Sequence, residues 1–221
     1  MAQTFFVDDE VADGYFLDGI ITVVDAKHIL QHLEEEKPAD VENESVEQIA
    51  FADRILLNKV DLLQSQEEKD TLLKKIRDIN AMAPIIESVH SMVDLGQILN
   101  TKSFDLQKIL TMEPEFLKDS DHTHDNSVSS MAIVEEGTID HQKFMNWLRG
   151  VLSEKGADIF RSKGIVNSKD HDSALVFQGV HMLLDMKRLD ASKPSINRLV
   201  FIGRNLDREE LTKGFKQCLL Y

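Results

Sequence analysis

The sequence predicts an α/β chain: a partial parallel-sheet domain, then a smaller α+β domain whose antiparallel sheet carries helices on one face. Three observations predict it. Apolar, β-branched runs alternate with helical patterns through the first half, the rhythm of a layered parallel sheet. A tract rich in acids, with two histidines and no apolar period, interrupts that rhythm at residues 114–128. After it the order changes to strand, helix, three strands, helix, which suits one antiparallel sheet. The expected boundaries are therefore 1–113, a linker 114–128, and 129–221.

Taken in order, residues 5–16 place Phe6, Val7, Val11 and Phe16 at helical spacing and predict a short helix. "DGIITVVDA" (18–26) is a continuous apolar run closed by an acid, as in a strand covered on both faces. "AKHILQHLEEEKP" reads as a helix stopping near Pro38, and "NESVEQIAFA" as a second, with Val46, Ile49 and Ala50 facing inward. "DRILLNKVDLL" (53–63) is the next buried strand. "SQEEKDTLLKKIRDINAMAP" is a helix capped by Ser65, with Glu68 three residues on. "PIIESVH" is a third strand, and a helix is expected around "VDLGQIL". Beyond the linker, "SSMAIVEEGTI" reads as a strand and "DHQKFMNWLRGVLSEKGADIF" as a long helix capped by Asp140. "RSKGIV", "SALVFQGVHMLLDMK" and "NRLVFIGRNL" read as strands, and "DREELTKGFKQCLL" as a closing helix.

Composition narrows the function classes. The 221 residues carry a formal net charge of -14, so nucleic-acid backbones and anionic membranes are disfavoured as partners, and cations or basic protein surfaces favoured. A single cysteine, Cys218, excludes an internal disulfide framework and a Cys-based zinc ligand pair, and reads as buried and inert. No apolar run approaches the roughly 20 residues that span a bilayer. The first residues lack the basic region of a secretory signal. A cytoplasmic protein is the expectation.

One motif carries chemistry. Asn58-Lys59-x-Asp61 follows directly on a buried strand. An aspartate placed there can accept two hydrogen bonds, from N1–H and the exocyclic amine of guanine, a donor pair that adenine does not offer. The lysine stem can pack on the base, and the asparagine can tie neighbouring loops together. Against this stands a plain polar strand end with Lys59 and Asp61 solvated. Asp25, which closes the first strand, is either an acid near the same site, since ligands of parallel sheets sit at strand carboxyl ends, or a cap for the following helix; the cap is preferred.

Together "YFLDGIITVVDAKHILQHL", "VEQIAFADRILLNKVDLL", "VFQGVHML" and "NRLVFIGRNLDREELTKGF" resemble the CobW-type family of metal-handling P-loop GTPases, in order and over nearly the whole chain. The resemblance implies that Asn58, Lys59 and Asp61 contact guanine, and that the segment around Ser88 supplies a second base-side loop. It implies GTP or GDP with Mg²⁺ as ligand, and delivery of zinc, cobalt or a related metal to a client protein. It also implies a C-terminal domain used for client contact or self-association. The chain departs from the pattern. It contains no Gly-Lys dipeptide, so the phosphate-binding loop G-x-x-x-x-G-K-[ST] is absent. The family's Cys-x-Cys-Cys metal motif and its Glu-containing switch are absent too. The expectation is a sequence that starts partway through the GTPase domain, hydrolyses no GTP alone, and exposes apolar sheet edges. The rival is a non-enzymatic, metal-buffering interaction module with a vestigial pocket.

The linker offers a second candidate. His122 and His124, with Asp125 and the nearby Asp119 and Asp121, could wrap a labile Zn²⁺, Co²⁺ or Ni²⁺ ion, or could simply be a solvated acidic tract. His171, in "SKDHDS", reads as a turn residue. His181 reads as a satisfied histidine within an apolar strand, and Trp147 as core.

Overall fold

The computed structural model describes residues 8–35, 43–104, 128–190 and 192–220. The chain divides into two compact units, Met1–Phe104 and Asp105–Tyr221.

In the first unit, Asp8 caps a short helix, α1 (Asp9–Gly14), by accepting from the amides of Glu10 and Val11. Three strands follow, β1 (Ile21–Asp25), β2 (Arg54–Asn58) and β3 (Ile85–Ser88), forming a parallel sheet in the order β1-β2-β3. Parallel neighbours require crossovers. β1 reaches β2 through α2 (Ile29–Leu33) and α3 (Glu44–Phe51), and β2 reaches β3 through α4 (Gln66–Ile79). Asn43 caps α3, and the Ser65 hydroxyl caps α4 by accepting from the Glu68 amide. The inward faces are those the periodicity gives: Val46, Ile49 and Ala50 on α3, and Leu72, Ile76 and Ile79 on α4; Ile55, Leu56 and Leu57 of β2 are buried as well.

Three expectations need correction here. Within the described residues the helix after β1 has only five residues. The helix expected around "VDLGQIL" is a single 3-10 turn, Leu95–Gln97. Its Asp94 carboxylate accepts from the Gly96 amide, and Leu95 and Leu99 stay exposed, so no buried face rewards a longer helix. Phe16 lies beyond the end of α1, after Tyr15 in extended backbone, and is exposed.

Among the described residues, the second unit begins with β4 (Val128–Glu136). Gly137 follows at φ +108°, a conformation that favours glycine, and breaks the single expected strand into β4 and a short β5 (Thr138–Ile139). Helix α5 (His141–Lys155) starts from Asp140, whose carboxylate accepts from the Lys143 amide. Strands β6 (Ile159–Val166), β7 (Ala174–Val180), β8 (Leu183–Leu189) and β9 (Ile196–Arg204) follow, then α6 (Arg208–Lys216) and β10 (Leu219–Leu220). The main sheet is antiparallel in the order β4-β9-β6-β7-β8, and β5 pairs separately with β10.

Both helices cover one sheet face. Phe144, Leu148 and Leu152 of α5 and Leu211 and Phe215 of α6 pack with Met131, Ile133, Leu175, Phe177, Leu199 and Phe201. Trp147 joins them, with ring centroids 5.7 Å from Phe215 and 5.8 Å from Phe144. Gly164 is required by close approach: a Cβ there would lie 2.3 Å from the Phe177 ring.

The boundaries differ from the expected ones at three places. α5 ends at Lys155, and Phe160 belongs to β6. "SALVFQGVHMLLDMK" is a hairpin, β7 and β8, turning at His181 and Met182 with Val180 opposite Leu183. His181 is thus a turn residue at φ 49°, its Nδ1 3.1 Å from the Gly156 carbonyl oxygen. The last residues expected in the closing helix form β10 instead. Cys218 is free and buried, and burial pushes its thiol up to about 11, so it holds no thiolate at neutral pH. Among the described residues no helix is long and apolar enough to cross a membrane.

Candidate functional site

The parallel register aligns three polar side chains at the strand carboxyl ends. Asp25 of β1 lies opposite Asn58 of β2, and Asn58 lies opposite Ser88 of β3. This edge of a parallel sheet is where α/β proteins receive ligands, because the loops leaving the strands there are free to diverge.

Asn58 ties the row together. Its Oδ1 accepts from the Ser91 amide at 2.9 Å and from the Ser88 hydroxyl at 3.2 Å, and its Nδ2 donates to Ser91 Oγ at 3.0 Å. The loop after β3 is thereby pinned to the end of β2. That loop turns tightly: His90 and Ser91 have φ of 54° and 56°, and the Met92 amide donates to the Val89 carbonyl at 3.0 Å. Two successive left-handed residues closed this way form a type I′ turn.

Lys59 follows at φ 65°, which turns the chain sharply out of the strand. Its Nζ donates to Asp25 Oδ2 at 2.6 Å. Asp25 also accepts from the Lys27 amide at 2.9 Å through Oδ1, and its Oδ2 lies 3.1 Å from His28 Nδ1. The Lys59 hydrogen bond is the main cause holding the Asp25 carboxyl well below the usual carboxylate range, against a smaller opposing effect of burial. Asp25 does not cap the following helix, whose N-cap is His28 with no side-chain cap; it holds the turn before that helix through the Lys27 amide and sits in the strand-end cluster. Val60–Leu62 form one 3-10 turn that displays Asp61 on the surface. The Asp61 carboxylate takes no hydrogen bond or ion pair among the described residues, which leaves both oxygens open to a ligand's donors.

The structure thus brings Asn58, Lys59 and Asp61 together with Asp25, Ser88 and Ser91. Ser91 carries no signal in the sequence, since a serine in a loop is commonplace and its contact depends on β3 lying beside β2. His122, His124 and Asp125 lie outside the described residues. Among the described residues no group of three or more His, Cys, Asp or Glu side chains could hold a metal ion.

Comparison with known proteins gives this geometry a setting. Residues 1–87 match the family described as CobW/HypB/UreG, nucleotide-binding domain, and residues 128–219 match the cobalamin synthesis protein cobW C-terminal domain. The chain belongs to the CobW family.

Asn58, Lys59 and Asp61 fall within the match to the CobW nucleotide-binding domain. Zinc chaperone YjiA of Escherichia coli (strain K12) is 31% identical over 216 residues, with 96% of this chain and 64% of that protein covered. Zinc-regulated GTPase metalloprotein activator 1 of Schizosaccharomyces pombe is 31% identical over 245 residues, covering 94% of this chain and 58% of that protein. The crystal structure of Zn(II)-bound YjiA GTPase from E. coli superposes with a TM-score of 0.82 at 28% identity, over 99% of this chain and 66% of that one. The chain thus spans less than two thirds of the length of either curated relative. The structural match covers both units, so the parallel sheet followed by an antiparallel sheet with helices is the architecture of that relative as well.

Proposed function

We propose that the strand-end cluster reads the guanine base of GTP or GDP, and that the chain works as part of a GTP-dependent metallochaperone delivering zinc or a related metal to a client protein. The single observation that carries the reading is the open carboxylate of Asp61, presented beside a rigid frame of Asn58, Lys59 and Asp25. A carboxylate at this point pairs with the two adjacent donors of guanine and meets no such pair on adenine. The Lys59 ammonium is anchored on Asp25, which leaves its methylene stem as the surface for the base plane. Asn58 holds the Ser88–Met92 loop in place, so the second side of the pocket is preorganised.

The residues present fit the base better than the phosphates. Bound phosphates with Mg²⁺ would supply the electrophile for hydrolysis, and their usual cradle is a Gly-Lys-[ST] loop. The 221 residues contain no Gly-Lys dipeptide. We therefore propose that this chain by itself binds guanine nucleotide and releases no phosphate. The YjiA relative is named a zinc chaperone, which supports metal delivery as the role of the whole protein. The second unit, by its match to the CobW C-terminal domain, is the proposed surface for the client or for self-association.

Calorimetric titration of the chain with GDP, GTP and ATP, Mg²⁺ present, tests the reading. Guanine nucleotides are expected to bind and ATP not, with Asp61→Ala lowering affinity at least tenfold. Equal binding of ATP, or an unaffected Asp61→Ala variant, would sink it. Mg²⁺-dependent phosphate release in a single-turnover assay would refute the non-hydrolytic part alone.

A further inference from the structure

In the second unit two histidines distant in sequence are brought side by side. A parallel bridge joins Ile139 and Ser168: the Ile139 amide donates to the Asn167 carbonyl at 2.8 Å, and the Lys169 amide donates to the Ile139 carbonyl at 3.0 Å. The two segments therefore run alongside each other, and His141, the first residue of α5, meets His171 of the "SKDHDS" turn. Their rings are 4.9 Å apart between centroids, at 71°. His141 Nδ1 and His171 Nε2 are both buried, and neither has a hydrogen-bond partner. Two unsatisfied buried imidazole nitrogens in one place are unusual, because each normally finds a partner or a ligand.

We propose that His141 and His171 form a two-imidazole site for a single divalent transition-metal ion of the Zn²⁺ class. Two imidazoles sharing one tetrahedral ion, with Zn–N about 2.0–2.1 Å, place their ring centroids about 5 Å apart, close to the separation found here. The two rings are steeply inclined, and each presents an unpartnered nitrogen.

The surrounding charges are mixed. Asp170 and Asp140 favour positive charge at His141, and Arg188 opposes it, as does the N-terminus of α5. No third His, Cys, Asp or Glu among the described residues completes a ligand set, so the two imidazoles are the whole of the protein's share in the coordination. The site lies in the second unit, and the proposal does not rest on the guanine reading.

The test uses the full chain carrying His122→Ala and His124→Ala, which removes the linker histidines from the count. Zn²⁺ is titrated against a chromophoric chelator while histidine side-chain ¹⁵N resonances are followed by NMR. One equivalent is expected, with the His141 Nδ1 and His171 Nε2 resonances shifting together. His171→Ala and, separately, His141→Ala should each weaken binding more than the roughly 10–100-fold carried by outer-sphere partners. Movement of neither resonance, movement of only one, or an affinity unchanged in both variants overturns the proposal. Because the NMR readout needs no substitution of either ligand, a misfolded variant cannot mask the answer.

Discussion

Lys59 Nζ and Asp25 Oδ2 lie 2.6 Å apart, an ion pair that joins the carboxyl ends of two neighbouring parallel strands. The pair lowers the folded-state pKa of Asp25 below its ordinary 3.8. A carboxyl whose pKa is depressed on folding stabilises the fold fully above its unfolded value and loses that contribution as pH falls toward the folded one. Asp25→Asn should therefore destabilise the chain at neutral pH, and the difference should shrink as pH falls below that ordinary value, vanishing only beneath the folded one. Both side chains are partly exposed, so solvent screening limits the neutral-pH loss to about 1 kcal/mol. Urea denaturation of both proteins across pH 2–7 would show this as converging curves at the acid end. Parallel curves would mean that the pair contributes nothing to folding.

Asn58→Ala removes three hydrogen bonds that fasten the Ser88–Met92 loop. The expected cost is about 1–2 kcal/mol, since the site is partly open to water and the loop amides can be rehydrated. Hydrogen exchange at Ser91 should accelerate much more than exchange in the core of α4. Uniform acceleration of both would indicate global destabilisation instead of a released loop.

Asn80 has the largest predicted effect in the first unit. It is fully buried at the end of α4, where Nδ2 lies within hydrogen-bonding distance of the carbonyls of Ile49, Ala50 and Ala52, and Oδ1 accepts from the amides of Met82 and Ala83. Asn80→Ala should cost about 3 kcal/mol or more by leaving several buried groups unpaired. Asn80→Asp, nearly identical in shape, should be worse, because it turns a carboxylate toward three carbonyl oxygens. If the aspartate variant proves the more stable of the two in chemical denaturation, this account of Asn80 is wrong.

Asn80 also shows where sequence reading stops. β1 and β2 are legible as apolar runs, although Ile21 and Val23 leave one side of β1 exposed instead of covered. β3 is short, with only Ile85 and Ile86 apolar, and the Asn58-Lys59-x-Asp61 segment is legible by its residue types. Asn80 reads only as a polar helix end; its role depends on α3 lying beside α4. Ser91 and the His141–His171 pair were hidden for the same reason, since each contact is made across strands or segments far apart in the chain. The turn at His181 and Met182 was missed because neither turn residue is Gly, Pro or Asn, and Val180 and Leu183 keep the apolar pattern on either side. The helix expected near Leu95 failed on packing: its leucines are on the surface.

Gly164→Ala would drive a methyl group to 2.3 Å from the Phe177 ring and 2.9 Å from the Arg198 carbonyl oxygen. Overpacking of this kind costs about 1–3 kcal/mol. Combining it with Phe177→Leu should recover part of the loss, giving a double-mutant coupling of at least about 0.5 kcal/mol. Strictly additive effects would place the strain on the backbone.

The strand order of the second unit has a consequence for synthesis on the ribosome. β9 lies between β4, the first strand of that unit among the described residues, and β6, and pairs with both. While β9 is still inside the exit tunnel, β6, β7 and β8 can form their hairpins, but β4 has nothing to join. During that interval two strand edges, on β4 and β6, are open to pairing with other chains. A translational pause after β8 has emerged and before β9 has would prolong the interval. The last main strand to be made is thus the one that closes the sheet.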